Sequence, residues 1–308
     1  MEKVIQVSNL EKKYGTLKAV DGISFNVQKG EIFGLLGENG AGKTTTLEII
    51  EGLRKPSNGK ISVLGHDIVE GLFDIKEKIG VQLQSSAYYH FLSLKEILAL
   101  FGGFYQKCID PETLLSMVDL NDKSKSLINA LSGGQKQRFS IVASLVNDPE
   151  IVFLDEPTTG LDPVARRNLW DLISKIKEQG KTIILTTHYM EEAEVLCDRI
   201  AIMEKGKIIA MGETHKLIEG TKNPFKVEFI SSKLSKTDLS DLGTIGQLTN
   251  IAGKEYLFEL KLKTQKDLNN AIKIIQNRTP DSLNVSRASL EDLFIELTGK
   301  ALAKEEHA

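Results

Sequence analysis

Apolar positions change their spacing several times along this chain, and each change predicts a different kind of element. From Val4 onward they alternate or cluster in β-rich runs: Val4-Ile5-Gln6-Val7, Ala19-Val20, Ile23-Ser24-Phe25-Asn26-Val27 and Glu31-Ile32-Phe33-Gly34-Leu35-Leu36, with Lys29-Gly30 as a turn. Thr45-Thr46-Leu47-Glu48-Ile49-Ile50 reads as helix. Lys60–Leu64, closed by Gly65, and Ile79–Leu83 read as strands. Between Leu92 and about Val146 the spacing becomes three and four, as at Leu94, Ile97, Leu98 and Phe101 and at Leu114, Leu115 and Val118. That stretch predicts a helical insertion, its last helix running from about Gln135 to Val146.

Alternation of strand and helix then returns. Ile151-Val152-Phe153-Leu154 is wholly apolar, as a parallel strand buried on both faces should be. A helix is predicted from about Pro163 to Gln179, with proline in its first turn and Gly180 as its stop. Thr182–Leu185 and Arg199–Met203 are further buried strands. Gly220-Thr221-Lys222-Asn223-Pro224 reads as a linker that divides the chain into residues 1–220 and 221–308. The tail predicts strands at Phe225–Ile230, Tyr256–Leu262 and Leu283–Val285, helices at Gln265–Asn277 and Leu290–Leu297, and a frayed end at Lys304–Ala308. It is a small α+β domain.

Composition narrows the class. Hydrophobic residues at 41% and charged residues at 26% describe an ordinary globular protein. A net charge of −3 supplies no basic field, so nucleic acid is not the expected partner. The two cysteines, Cys108 and Cys197, lack metal-ligand spacing and read as core or half-buried thiols. The N-terminus lacks the apolar run of a signal peptide, and no uncharged apolar stretch reaches the ~18 residues of a membrane span. The expectation is a cytoplasmic protein whose membrane role, if any, comes through a partner.

Chemistry enters at Gly37-Glu38-Asn39-Gly40-Ala41-Gly42-Lys43-Thr44, set between a predicted strand and a predicted helix. The glycines let successive N–H groups turn inward as an anion cradle, reinforced by the helix N-terminus. Lys43 would reach the β- and γ-phosphates of a nucleoside triphosphate, the Thr44 hydroxyl would ligate Mg²⁺, and Thr45 continues the first turn. Ile151-Val152-Phe153-Leu154-Asp155-Glu156-Pro157 supplies the complementary element. Asp155 would face the metal beside Thr44, leaving Glu156 to polarise the attacking water.

With these motifs the chain resembles the nucleotide-binding subunits of ATP-binding cassette (ABC) transporters over about residues 3 to 215. Leu131-Ser132-Gly133-Gly134-Gln135-Lys136-Gln137-Arg138 matches that family's signature, a helix start offering a hydroxyl and free N–H groups to an anion. The resemblance implies an α/β P-loop NTPase cassette: a RecA-like core with an antiparallel β subdomain and a helical insertion. It implies ATP and Mg²⁺, and catalysis by Lys43, Gln84, Glu156 and His188. Gln84 matches the glutamine that contacts metal and water, and His188 the histidine that reads the γ-phosphate. Tyr14 matches the aromatic that stacks on adenine, a turn aromatic being the alternative. Asp162 matches the loop joining two protomers, and also reads as a helix N-cap. Ser132, Gly133, Gly134 and Gln135 would close over ATP held by a second copy of the chain.

A single cassette and a short insertion without heptads favour a transporter subunit over a soluble mechanochemical ATPase acting on nucleic acid or ribosomes. The transporter reading implies an integral membrane permease as partner and a peripheral place on the cytoplasmic face of the membrane. Ala87-Tyr88-Tyr89-His90-Phe91 lies where the family docks a helix of that partner, or else is core beneath the insertion. Arg287–Gly299 resembles the end of bacterial drug, antibiotic and polysaccharide or lipid exporters. Its apolar face, Leu290, Leu293, Phe294 and Leu297, would equally suit burial against its own domain.

Overall fold

The wholly apolar runs become the middle of a sheet whose strand ends carry the chemistry. The protein was analysed as a computed structural model that describes residues 2–82, 88–251 and 256–299. It divides into two compact units, residues 1–213 and 214–308.

In the first unit, β1 (Lys3–Tyr14) and β2 (Leu17–Gln28) pair along most of their length. β3 (Ile32–Leu36) then leads into α1 (Lys43–Ile50). β4 (Asn58–Val63), β5 (His66–Asp67), α2 (Leu72–Lys76) and β6 (Ile79–Gln82) follow. The insertion comprises α3 (Leu94–Gly102), α4 (Pro111–Ser116), two single 3₁₀ turns and α5 (Gly133–Ala143). β7 (Ile151–Asp155), α6 (Pro163–Glu178), β8 (Thr182–Thr187), α7 (Met190–Leu196), β9 (Arg199–Glu204) and β10 (Lys207–Glu213) complete it.

Two sheets result. One is antiparallel, ordered β2-β1-β4-β5; the other has six strands, ordered β10-β9-β3-β8-β7-β6, all parallel except β10. Every residue of β3, β7 and β8 is buried, because both faces of this parallel sheet are covered, in part by the antiparallel sheet. Phe25 of β2 stacks on Phe33 of β3 at 5.3 Å between ring centroids, tying the sheets into one core. Helix starts follow the sequence signals. Ser93 and Glu96 form a reciprocal capping box on α3, and Asp110 and Asp162 cap helices that open with proline.

The second unit holds α8 (Thr214–Glu219), β11 (Phe225–Ile230), α9 (Lys236–Ile245), β12 (Gln247–Asn250), β13 (Leu257–Leu262), α10 (Gln265–Gln276), β14 (Ser282–Arg287) and α11 (Leu290–Thr298). Its sheet is antiparallel, ordered β12-β13-β11-β14, and one face packs on α9 and α10 around Val227, Phe229, Leu242, Leu260 and Ile275. Asp238 takes two bonds from the Arg278 guanidinium, at 3.0 and 2.9 Å, which fasten α9 to the turn after α10.

Several expectations are corrected. The fragments at Ala19 and Ile23 are one strand, continuous through Gly22. The insertion is three short helices joined by turns and loops, and its last helix runs Gly133–Ala143 rather than Gln135–Val146. Helices α7, α8 and α9 and strands β10 and β12 had not been anticipated. β10 and β12 are edge strands whose outer side needs no apolar partner, and α9 is largely polar outside Leu239, Leu242 and Ile245. Cys197 is buried, but Cys108 is exposed rather than core or half-buried. In α11, Leu290, Leu293 and Phe294 are buried while Leu297 faces solvent. Lys304–Ala308 lies outside the described residues. Among the described residues no helix is long and apolar enough to cross a membrane.

Candidate functional site

The chain leaves β3 at Leu36 and enters α1 at Lys43, so Gly37–Gly42 must turn within six residues against neighbouring strands. Two glycines are dictated by that crowding. At Gly37 (φ 158°) a Cβ would lie 2.4 Å from the Met203 carbonyl, and at Gly42 (φ 101°) one would lie 2.4 Å from the Ala19 carbonyl. Glu38 is half-buried, Asn39 and Gly40 are exposed, and Ala41 is buried.

Lys43 folds back into this loop. Its ammonium donates to the carbonyls of Gly37 (2.9 Å) and Glu38 (3.2 Å) and lies 3.3 Å from Glu156 Oε1. Burial lowers its pKa, against the pull of Glu156 and Asp155. Thr44 Oγ1 donates to Asp155 Oδ1 at 3.2 Å, and the Thr186 hydroxyl donates to the same oxygen. Burial raises the Asp155 pKa, and these two hydroxyls oppose the rise.

Glu156 follows the end of β7 with a positive φ of 48°. Its N–H donates to the carbonyl (3.1 Å) and hydroxyl (3.0 Å) of Thr186. Its carboxylate meets Lys43, accepts from Thr159 Oγ1 at 3.2 Å, and lies 3.3 Å from His188 Nδ1. The His188 contact, with Lys43 behind it, holds the Glu156 carboxyl at about 2. Lys43, Thr44, Asp155, Glu156 and His188 therefore converge on one point, where the carboxyl ends of β3, β7 and β8 meet the start of α1.

Thr186 and Thr159 were not anticipated. The signal for Thr186 was its place at the end of the apolar run Ile183-Ile184-Leu185: a hydroxyl buried there needs a partner, and the adjacent strand offers Asp155.

Ser132 caps α5, accepting from the Gln135 N–H at 3.3 Å while Gln135 Oε1 accepts from the Ser132 N–H at 3.0 Å. Ser132 and Gly133 are exposed, and a Cβ on Gly134 would lie 3.3 Å from Ala165, so this end of α5 stands close to α6. Asp162 accepts from the N–H groups of Val164 and Ala165, each at 2.9 Å, as an N-cap does. Tyr14, 41% exposed, takes a bond from Arg54 at 3.2 Å and lies under Lys12, 5.2 Å away. Thr45 is half-buried on α1. Gln84 lies outside the described residues, as do Ser85–Ala87.

A groove of about 440 Å³ opens between the sheet and the insertion, walled by Leu53, Val81, Tyr88, Phe101, Phe104 and Tyr105. Tyr88 packs edge-on against Phe139, so it serves the insertion's core, whereas Tyr89 and Phe91 are exposed.

Residues 20–159 match the ABC transporter family. Over 97% of this chain and 98% of its own length, the Nod factor export ATP-binding protein I of Burkholderia lata is 38% identical. The linearmycin resistance ATP-binding protein LnrL of Bacillus subtilis is 34% identical over 97% of this chain and 99% of its length. Among solved structures, an ATP-binding subunit of an ABC transporter superposes with a TM-score of 0.63 at 30% identity, covering 70% of this chain and 92% of its own. A dimeric ATP-binding cassette in a post-hydrolysis state, bound to ADP and Pi, gives 0.62 at 28%, covering 68% and 98%.

Proposed function

We propose that this chain, which belongs to the ABC transporter family and is an ATP-binding, ATP-hydrolysing member of it, drives export of a substrate through a separate integral membrane subunit. The observation that carries the reading is the convergence of Lys43, Thr44, Asp155, Glu156 and His188 on one point. The phosphates of ATP would lie along the loop N–H groups, with Lys43 drawn from the Gly37 and Glu38 carbonyls toward the β- and γ-phosphates. Tyr14 would lie against the base.

Thr44 and Asp155 offer hard oxygens only, a donor set that fits Mg²⁺. Among the described residues no group of three or more His, Cys, Asp or Glu could hold a metal, so phosphate oxygens and water would complete the coordination. Bound there, Mg²⁺ would neutralise charge on the phosphates. Gln84 is carried over from the family as a further ligand.

Glu156 is ionised at neutral pH, and its pairing with Lys43 and His188 restrains its basicity. Once phosphate draws Lys43 away, Glu156 would orient a water and take its proton, while His188 faces the departing γ-phosphate. The Ser132-Gly133-Gly134-Gln135 end, exposed at Ser132 and Gly133, would cap ATP held by a second copy, in keeping with the dimeric cassette relative. Residues 1–220 would form the cassette and 221–308 an accessory domain, the compact unit itself closing at Glu213.

The export direction follows the two resistance and export relatives, which align along nearly their whole length. The membrane subunit would dock in the groove beside the insertion and hold the chain on the cytoplasmic face of the membrane. Reconstitution with the polytopic membrane subunit that this reading requires tests it. ATP- and magnesium-dependent turnover that rises with the membrane protein is expected; turnover that rises only with nucleic acid or ribosomes would sink it.

A further inference from the structure

The groove beside the insertion is lined by one acidic residue among the described residues. Glu51 is the C-cap of α1, only 3% exposed, and lines the groove among mostly apolar and aromatic side chains, with Ser140, Ser144 and Asn147 as neutral polar ones. Among the described residues none hydrogen-bonds to its carboxylate or forms an ion pair with it. The charges that act on it, Asp155 and Glu48, are both acidic and oppose its ionisation, and Glu48 is already held by Arg54. Among the described lining residues Lys76 is the one cation, and it is exposed.

A buried carboxyl with no partner is rare and costly, and its orientation into a groove is a demand for something the chain does not supply. A purely apolar helix laid into this groove would seal the carboxyl away from water unsatisfied. A helix carrying one basic side chain among its apolar ones would satisfy it and gain a charge-assisted bond in a desolvated place. We propose that Glu51 is the specificity determinant of the docking groove, accepting a lysine or arginine from the helix that the membrane subunit inserts there. The inference rests on the docking reading above and adds to it the chemistry of the contact. The apolar and aromatic lining residues would give contact area, and Glu51 would set register.

The test uses the full chain and its polytopic membrane subunit, assembled in nanodiscs, with the dissociation constant measured directly. Glu51→Gln keeps the shape and removes the charge, and melting curves verify that it folds. The expected result is a loss of affinity of about tenfold or more. Lysines and arginines in the partner's cytoplasmic loops are then replaced one at a time by glutamine. One of these should weaken wild-type binding similarly and have no further effect on Glu51→Gln, the signature of a shared contact. A smaller loss for Glu51→Gln, or strictly additive effects at every loop position, overturns the ion pair. Phe104→Asp, on the apolar wall, separates the two levels. If it breaks assembly while Glu51→Gln does not, only the ion pair falls; if neither substitution matters, the docking reading falls with it.

Discussion

Lys43 Nζ and Glu156 Oε1 stand 3.3 Å apart with side chains 4% and 7% exposed, so the phosphate-binding cation and the candidate base are paired out of water. Removing one partner leaves the other charge buried and short of a contact. Lys43→Ala should therefore weaken ATP binding by at least tenfold, the charged hydrogen bonds it would offer phosphate being worth about 1.5–3 kcal/mol each. Unchanged affinity in a calorimetric titration would refute its assigned role.

Glu156→Gln separates binding from chemistry. Loss of a general base lowers turnover by roughly 10²–10⁴ while the cradle of Gly37–Thr44 stays intact. ATP binding should persist, and the ATP-bound dimer should become long-lived. Sedimentation that finds only monomers at saturating ATP would count against a shared site.

Glu51 gives the fold a pH dependence whose sign can be worked out. Burial, with Asp155 and Glu48 nearby, raises its carboxyl from 4.5 to about 8. Below pH ~4.5 both folded and unfolded chains carry the proton, and its contribution to stability is fully present. As pH rises from there toward 8 the unfolded chain releases the proton first, and that contribution is lost until the folded group titrates too. Glu51→Gln removes the decline, for a gain on the order of a few kcal/mol at pH 8 and little at pH 5. Denaturant midpoints of both proteins at the two pH values decide it; an equal difference at both would exclude a titrating Glu51.

Gly42→Ala places a methyl where the Ala19 carbonyl already lies and demands a φ of 101° from an L-residue. Strain of this kind costs about 1–3 kcal/mol, and the loop can relieve it only by moving away from β2. Both melting temperature and ATP affinity should drop. Gly40→Ala, whose added methyl meets nothing within 4 Å, should be milder on folding. Equal destabilisation by the two would mean that backbone angle rather than crowding governs the loop.

The sheet's centre was legible because Ile32–Leu36, Ile151–Leu154 and Thr182–Leu185 are apolar at nearly every position, which only a doubly covered parallel strand explains. Lys43, Thr44, Asp155 and Glu156 were legible because their motifs bind chemistry to fixed places at the ends of those strands. What escaped was set by context. β10 is a strand only because β9 offers it an edge, and α7 because Glu192 finds the Trp170 indole at 3.2 Å to justify a buried carboxylate. Thr186 looked like one more β-branched residue until its hydroxyl was seen on Asp155.

On an extended strand, side chains of consecutive residues leave from opposite faces, so an Asp-Glu pair at a strand tip would ordinarily send one acid to each side of the sheet. The left-handed twist at Glu156 cancels that divergence. Two adjacent acids thereby confront two adjacent residues across the gap, Asp155 opposite Thr44 and Glu156 opposite Lys43, dipeptide facing dipeptide. Spacing the acids apart by a single inserted residue would dismantle this correspondence while leaving every functional group in the chain.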